Sequence, residues 1–389
     1  MKNWAVVLWS ALLAACAATP VAELDRRYFH DELFAAPAAP IRAEDIFALS
    51  PEMRSYVNDE MAARARTKGR QNSLVDALYD KGGLKLEYDS AMTRTAAQAF
   101  AARAGNCLSL VIMTAAFAKE LGLHVEYQKV YVDDAWGRSG DIYLAIGHVN
   151  LTLGRRATDE GGFGHRVGKR PAESVGMTID FLPPENMFSM RTRAIGEDVV
   201  IAMYMNNRSV ESLSRGEIDD AYWWAREAIV QSPGFVTSYN TLGAIYQRHG
   251  NPREAEPVLR FVLDREPGNT QAMSNLVLVL AALGRTEESA KLAATLKQID
   301  PEPPFSHFNQ GMAAMRAGDL PAAKAAFVRE IARAPDYHEF RYWLGLAHLG
   351  MGEHDDARRQ LALALENSTT RRDTDLYAAK LARLKQMHH

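Results

Sequence analysis

The chain has 389 residues, 47% hydrophobic and 24% charged, enough to bury a sizeable core and to divide into two or three domains. Its 45 basic and 48 acidic side chains leave a formal charge of -3, so there is no global positive field to hold a phosphate backbone, and no nucleic-acid partner is expected. With 26 Gly and 16 Pro, near average usage, it is neither collagen-like nor of low complexity.

Residues 4–15 (WAVVLWSALLAA) form an apolar run behind Lys2 that is too short for a bilayer core of about 30 Å, and 1–15 reads as a secretory signal. Its end, Leu13-Ala14-Ala15-Cys16, resembles the lipobox of bacterial lipoproteins. That resemblance implies cleavage before Cys16, acylation of the new terminus and, with Ala17 following, an outer-membrane anchor facing the periplasm. Residues 16–45, rich in Ala and Pro, then read as a lipidated tether. The chain has two cysteines, so lipidation of Cys16 leaves Cys107 without a disulfide partner. An unpaired thiol in an oxidising compartment is a liability unless it is buried or used.

Residues 46–190 read as a mixed α+β domain. Ser50-Pro51 is a helix start, with Ser as cap and Pro in the first turn. Further helices are predicted near 71–80 and from Thr95. The stretch 105–122 (GNCLSLVIMTAAFAKELG) is apolar on almost every face up to Lys119 and is predicted to be a buried helix closed by Gly122. Cys107 stands at its beginning, where free backbone N–H groups and the helix dipole favour an anion. Strands are expected at 124–132, 142–153 and 177–182, from their β-branched and aromatic residues. His148 lies in the second and Asp180 in the third. A Cys opening a central helix, then a His and an Asp on later strands, is the layout of a thiol triad.

The runs Ala104-Gly105-Asn106-Cys107-Leu108-Ser109-Leu110, Ala116 to Gly122, His148-Val149-Asn150-Leu151 and Thr178-Ile179-Asp180-Phe181 resemble the transglutaminase-like superfamily of papain-type folds. That resemblance, over roughly 46–185, implies Cys107 as nucleophile, His148 as general base and acid, and Asp180 as the group orienting the imidazole. It also implies one oxyanion donor, the backbone N–H of Cys107. Gln128 is a candidate for a second donor. Leu108 stands where an aromatic residue often follows the nucleophile, and Ala101 where papain-like members carry Gln; these departures favour hydrolysis over protein crosslinking. A zinc site drawing on Cys107, His148, Asp180 and His165 is weighed against this, but neither C-x₂-C nor H-E-x-x-H spacing occurs. No cofactor is expected.

Residues 154–176, with six Gly and five Arg or Lys, read as a solvated loop, with a flap beside the cleft as the functional alternative. Pro183-Pro184 ends the domain, and 191–201 reads as linker. From 202 to 371 the sequence repeats every 34 residues: Gly216, Gly250, Gly284, Gly318 and Gly352 share the register. Pro233, Pro267, Pro301 and Pro335 follow the same step, as do Ala221, Ala255, Ser289, Ala323 and Ala357. Each unit is predicted to be a helical hairpin, with Gly at the turn and Pro after the second helix. Tyr239, Leu242, Gly243, Tyr246, Ala255, Leu259 and Val262 resemble the tetratricopeptide pattern. The resemblance implies an all-α solenoid of five units, a cap helix over 372–389, and a protein or peptide partner on its concave face. The functional expectation is a thiol-dependent acyl-transfer enzyme in the cell envelope, with a non-catalytic assembly factor as the alternative.

Overall fold

The computed structural model describes residues 24–80, 83–130, 136–139, 142–145, 147–154, 176–181 and 191–386. The expected signal and Cys16, His165, nearly all of the 154–176 loop and Pro183-Pro184 lie outside the described residues.

Ser50 caps α1 (Pro51–Tyr56), its hydroxyl accepting from the Met53 N–H at 3.2 Å. The helix passes through a π-helical stretch, Val57–Met61, into α2 (Ala62–Lys68), and α3 (Arg70–Tyr79) follows Gly69. After β1 (Glu87–Tyr88), Thr95 and Gln98 form a capping box at the start of α4 (Ala96–Ala102). β2 (Ala104–Gly105) pairs in parallel with β1 and leads into α5 (Cys107–Glu120), in which every residue from Cys107 to Ala118 is buried. Gly122, at φ +69°, ends it.

The strands that follow are β3 (Val125–Val130), β4 (Trp136–Ser139), β5 (Ile142–Ala145), β6 (His148–Leu153), β7 (Met177–Ile179) and β8 (Thr192–Ile195). The sheet β7-β6-β3-β8 is antiparallel at every pairing, and β4 and β5 form a separate hairpin. Its apolar face, with Tyr127, Val149, Leu151, Leu153 and Ile179, closes on α5. Three sequence expectations are corrected. The stretch 142–153 is two strands, divided just ahead of His148 at the exposed Gly147, because Gly weakens a strand interior. Asp180 lies one residue beyond β7 rather than inside a strand. The expected linker 191–201 instead supplies β8, which pairs with β3, and the first turn of the next helix.

The rest is a stack of helical hairpins: α6 (Glu197–Ser214) with α7 (Ile218–Gln231), α8 (Val236–His249) with α9 (Pro252–Arg265), and α10 (Thr270–Ala282) with α11 (Thr286–Ile299). Then come α12 (Ser306–Ala317) with α13 (Leu320–Arg333), α14 (His338–Gly350) with α15 (His354–Glu366), and finally α16 (Arg371–Gln386). The five turn glycines all adopt the left-handed backbone, φ +76° to +87°, which L side chains reach only with strain. Gly243 serves close approach instead: a Cβ there would meet the Leu259 side chain at 2.6 Å. Tyr239, Leu242, Tyr246, Ala255, Leu259 and Val262 are fully buried, as the repeat pattern requires.

The expected tether is also corrected. Residues 24–38 lie against the first two hairpins, with Tyr28 and Phe34 buried among their aromatic side chains, and Ile41 packs partly buried against the N-terminal core. Ala- and Pro-rich composition concealed these apolar anchors. Among the described residues no helix is long and apolar enough to cross a membrane.

Candidate active site

Two of the three triad candidates, His148 and Asp180, are in direct contact, and Cys107 lies within electrostatic range of the imidazole. Asn106 takes the N-cap of α5, its Oδ1 accepting from the Ser109 N–H at 2.9 Å, so Cys107 occupies the first helical position. Directly opposed residues of antiparallel strands share a face. The β3–β6–β7 register therefore sets His148, Asn150, Thr152 and Thr178 on the face opposite the apolar core. Just past β7, Asp180 meets the first two: its Oδ1 lies 2.7 Å from His148 Nε2, and its Oδ2 accepts from Asn150 Nδ2 at 2.8 Å. The His148 and Asp180 side chains are each only 3% exposed, which removes most solvent screening from the pair.

Burial disfavours charge on His148. The hydrogen bond with Asp180, with the charges of Cys107 and Asp180, outweighs it and raises the imidazole to about 9. With Nε2 engaged by Asp180, Nδ1 is the nitrogen left to face the thiol. Cys107 is a free thiol, 8% exposed. Tyr88, paired with Gly105 in the β1–β2 ladder and largely exposed, lies within electrostatic range of it.

Sequence reasoning missed several supporting groups. Asn150 fixes the second Asp180 oxygen, and its own Oδ1 is buried without a hydrogen-bond partner. Tyr79, itself more than half exposed, donates its hydroxyl to the Asp180 backbone carbonyl at 3.0 Å. A chain of hydrogen bonds also ties the helix cap beside Cys107 to α6. Asn106 Nδ2 donates to Thr93 Oγ1 at 2.9 Å, and the Thr93 N–H donates to Glu211 Oε1 at 2.7 Å. Burial raises the Glu211 carboxyl, opposed by the Thr93 hydrogen bond and by Arg208. Asn150 sits two residues after His148 and was within reach of sequence reasoning; Glu211 falls in repeat-region sequence and carried no signal. Gln128 is engaged elsewhere, donating to Thr152 Oγ1 at 2.8 Å.

Among the described residues, His348, Glu353 and Asp356 could group ligand atoms within 4.8 Å, but Glu353 is already hydrogen-bonded by Lys324 and His348. That cluster lies in the fifth hairpin and includes none of the triad.

Comparison with known proteins bears on the helical half. Residues 240–304 and 308–372 match the tetratricopeptide repeat family model. A TPR repeat-containing protein of Pseudomonas aeruginosa is 28% identical over 162 residues, covering 41% of this chain and 26% of that protein. Cellulose synthase operon protein C of Pseudomonas fluorescens is 28% identical over 178 residues, 42% of this chain and 14% of its own length. The chain thus spans well under half of either curated relative. Among solved structures, a thermophilic TPR protein of Thermus thermophilus aligns at 21% identity with a TM-score of 0.31, over 46% of this chain and 99% of that one. YrrB, described as a TPR protein with an unusual peptide-binding site, aligns at 19% identity with a TM-score of 0.25, over 46% and 92%. Residues 240–372 thus carry tetratricopeptide repeats within the stack of helical hairpins.

Proposed function

We propose that the chain is a thiol-dependent acyl-transfer enzyme of the transglutaminase-like, papain-type class, carried on a repeat array that binds its protein substrate or a partner. In this reading Cys16 anchors it by lipid to the outer membrane, facing the periplasm. The observation that carries the catalytic part is the buried His148–Asp180 contact of 2.7 Å, with Cys107 near enough for its charge to act on the same imidazole. The Cys107 sulfur, its proton passed to His148, attacks an amide carbonyl; the C–N bond breaks, the amine leaves with that proton, and a thioester remains. Water then attacks the thioester through His148, which returns the proton to sulfur and releases a carboxylic acid. Asp180 holds the ring and balances its charge throughout. The array raises the local concentration of whatever it binds.

A non-catalytic assembly factor is the second reading, and the burial of the Cys107 thiol favours it. Hydroxylamine separates the two. When the full chain turns over a peptide mixture with hydroxylamine present, a thioester yields acyl hydroxamates that disappear in Cys107→Ser. Equal background from both proteins removes the enzyme reading and leaves the scaffold.

A further inference from the structure

Residues 24–38 sit on the array as a bound peptide would. The segment packs against three consecutive helices, α7, α8 and α9. Phe34 stacks on Tyr222 of α7, ring centroids 3.9 Å apart and planes 7° from parallel. Six residues earlier, Tyr28 packs between Tyr239 of α8 and Phe261 of α9, at 6.0 and 5.2 Å. Between these anchors Asp31 Oδ1 accepts from Arg226 Nε at 2.9 Å and from the Tyr222 hydroxyl. The groove also reads the backbone. Tyr246 donates its hydroxyl to the Tyr28 carbonyl at 2.8 Å and accepts the His30 N–H at 3.1 Å. Trp223 Nε1 donates to the Ala35 carbonyl at 2.6 Å, while Asp219 and Asp220 accept the Ala35 and Ala38 N–H groups at 2.9 and 2.8 Å.

Two aromatic side chains in separate pockets, a carboxylate on an Arg between them, and main-chain hydrogen bonds along the way form a complete recognition set for an extended peptide. We propose that the α7–α8–α9 groove is a peptide-recognition site held in cis by residues 28–38, selective for an extended peptide with two aromatic residues six apart and an acidic residue between them. This deepens the protein-binding part of the proposed function and rests on it, while requiring nothing of Cys107. A ligand in trans competes against the high effective concentration of a covalently attached segment, so the groove answers to a partner presented at high local density or to release of the segment.

The test uses the full chain. In Tyr28→Ala/Asp31→Ala/Phe34→Ala the amides of 24–38 are expected to lose the hydrogen-exchange protection they have in the wild type. A fluorescent synthetic peptide of residues 24–38 is then expected to bind this variant saturably and the wild type not at all. Adding Arg226→Ala weakens that binding by at least about tenfold, the scale of a lost charged anchor. Circular dichroism confirms that both proteins keep the repeat helices. Segment amides unprotected in the wild type, protection that persists in the triple variant, or a released groove that does not take the peptide would each overturn the proposal. None of these outcomes touches thioester trapping at Cys107, so the two claims fail separately.

Discussion

His148 is where opposing effects meet. Burial alone would keep the ring neutral, yet two polar neighbours hold its proton to about 9. A folded value raised above the usual 6.5 contributes stability that is complete below about 6.5 and lost as pH rises through about 9. Denaturant midpoints measured across that window are expected to fall more in the wild type than in His148→Gln; parallel curves would count against the charged imidazole. Asn150→Ala removes a buried hydrogen bond to the Asp180 carboxylate and is expected to cost about 1.5–3 kcal/mol. NMR should also show the His148 titration displaced in that variant, which a loss of packing alone does not produce.

The cap of α5 determines where the sulfur points. Asn106→Ala removes the hydrogen bond to the Ser109 N–H together with the link to Thr93, and is expected to cost about 1 kcal/mol and to slow chemistry at Cys107. Gly250→Ala strains a left-handed turn for about 1 kcal/mol but leaves the thiol's reactivity unchanged, since among the described residues that turn lies in the second hairpin, away from α5. Thermal unfolding and alkylation measured on the same two proteins separate these effects. Elements of this kind were readable where one local signal decides them. Ser50-Pro51, Thr95, the largely apolar run after Cys107 and the 34-residue glycine register each specify a start, a stop or a buried helix. The two-residue strands β1 and β2 and the strand at 192–195 were not readable, because their pairing partners are distant in sequence and short strands have no periodicity to detect. The triad was legible as chain order; the contact of Asp180 with Asn150 was not, since it depends on sheet register.

At the scale of the molecule, one loop of the N-terminal domain touches both ends of the array. Thr93 meets Glu211 of the first hairpin, and Ser90 meets Thr369, its N–H donating to the Thr369 carbonyl at 2.9 Å beyond the fifth. The sequence separations are 118 and 279 residues, which is why no local pattern announced them. The repeats are therefore packed into the surroundings of the thiol rather than strung behind it. Glu211→Ala, which leaves the Thr93 N–H unpaired, is expected to alter Cys107 reactivity although it lies in the array; full-chain alkylation identical to wild type would show that the link carries no influence.

The convergence of Cys107, His148 and Asp180 into a working thiol site is tested most directly by the rate of Cys107 alkylation by iodoacetamide between pH 5 and 9, with circular dichroism confirming a folded chain. Rapid alkylation of the wild type below pH 7, slowed by about 10²-fold or more in His148→Ala, is the expected result. A thiol that reacts only on unfolding, equally in both proteins, would contradict it.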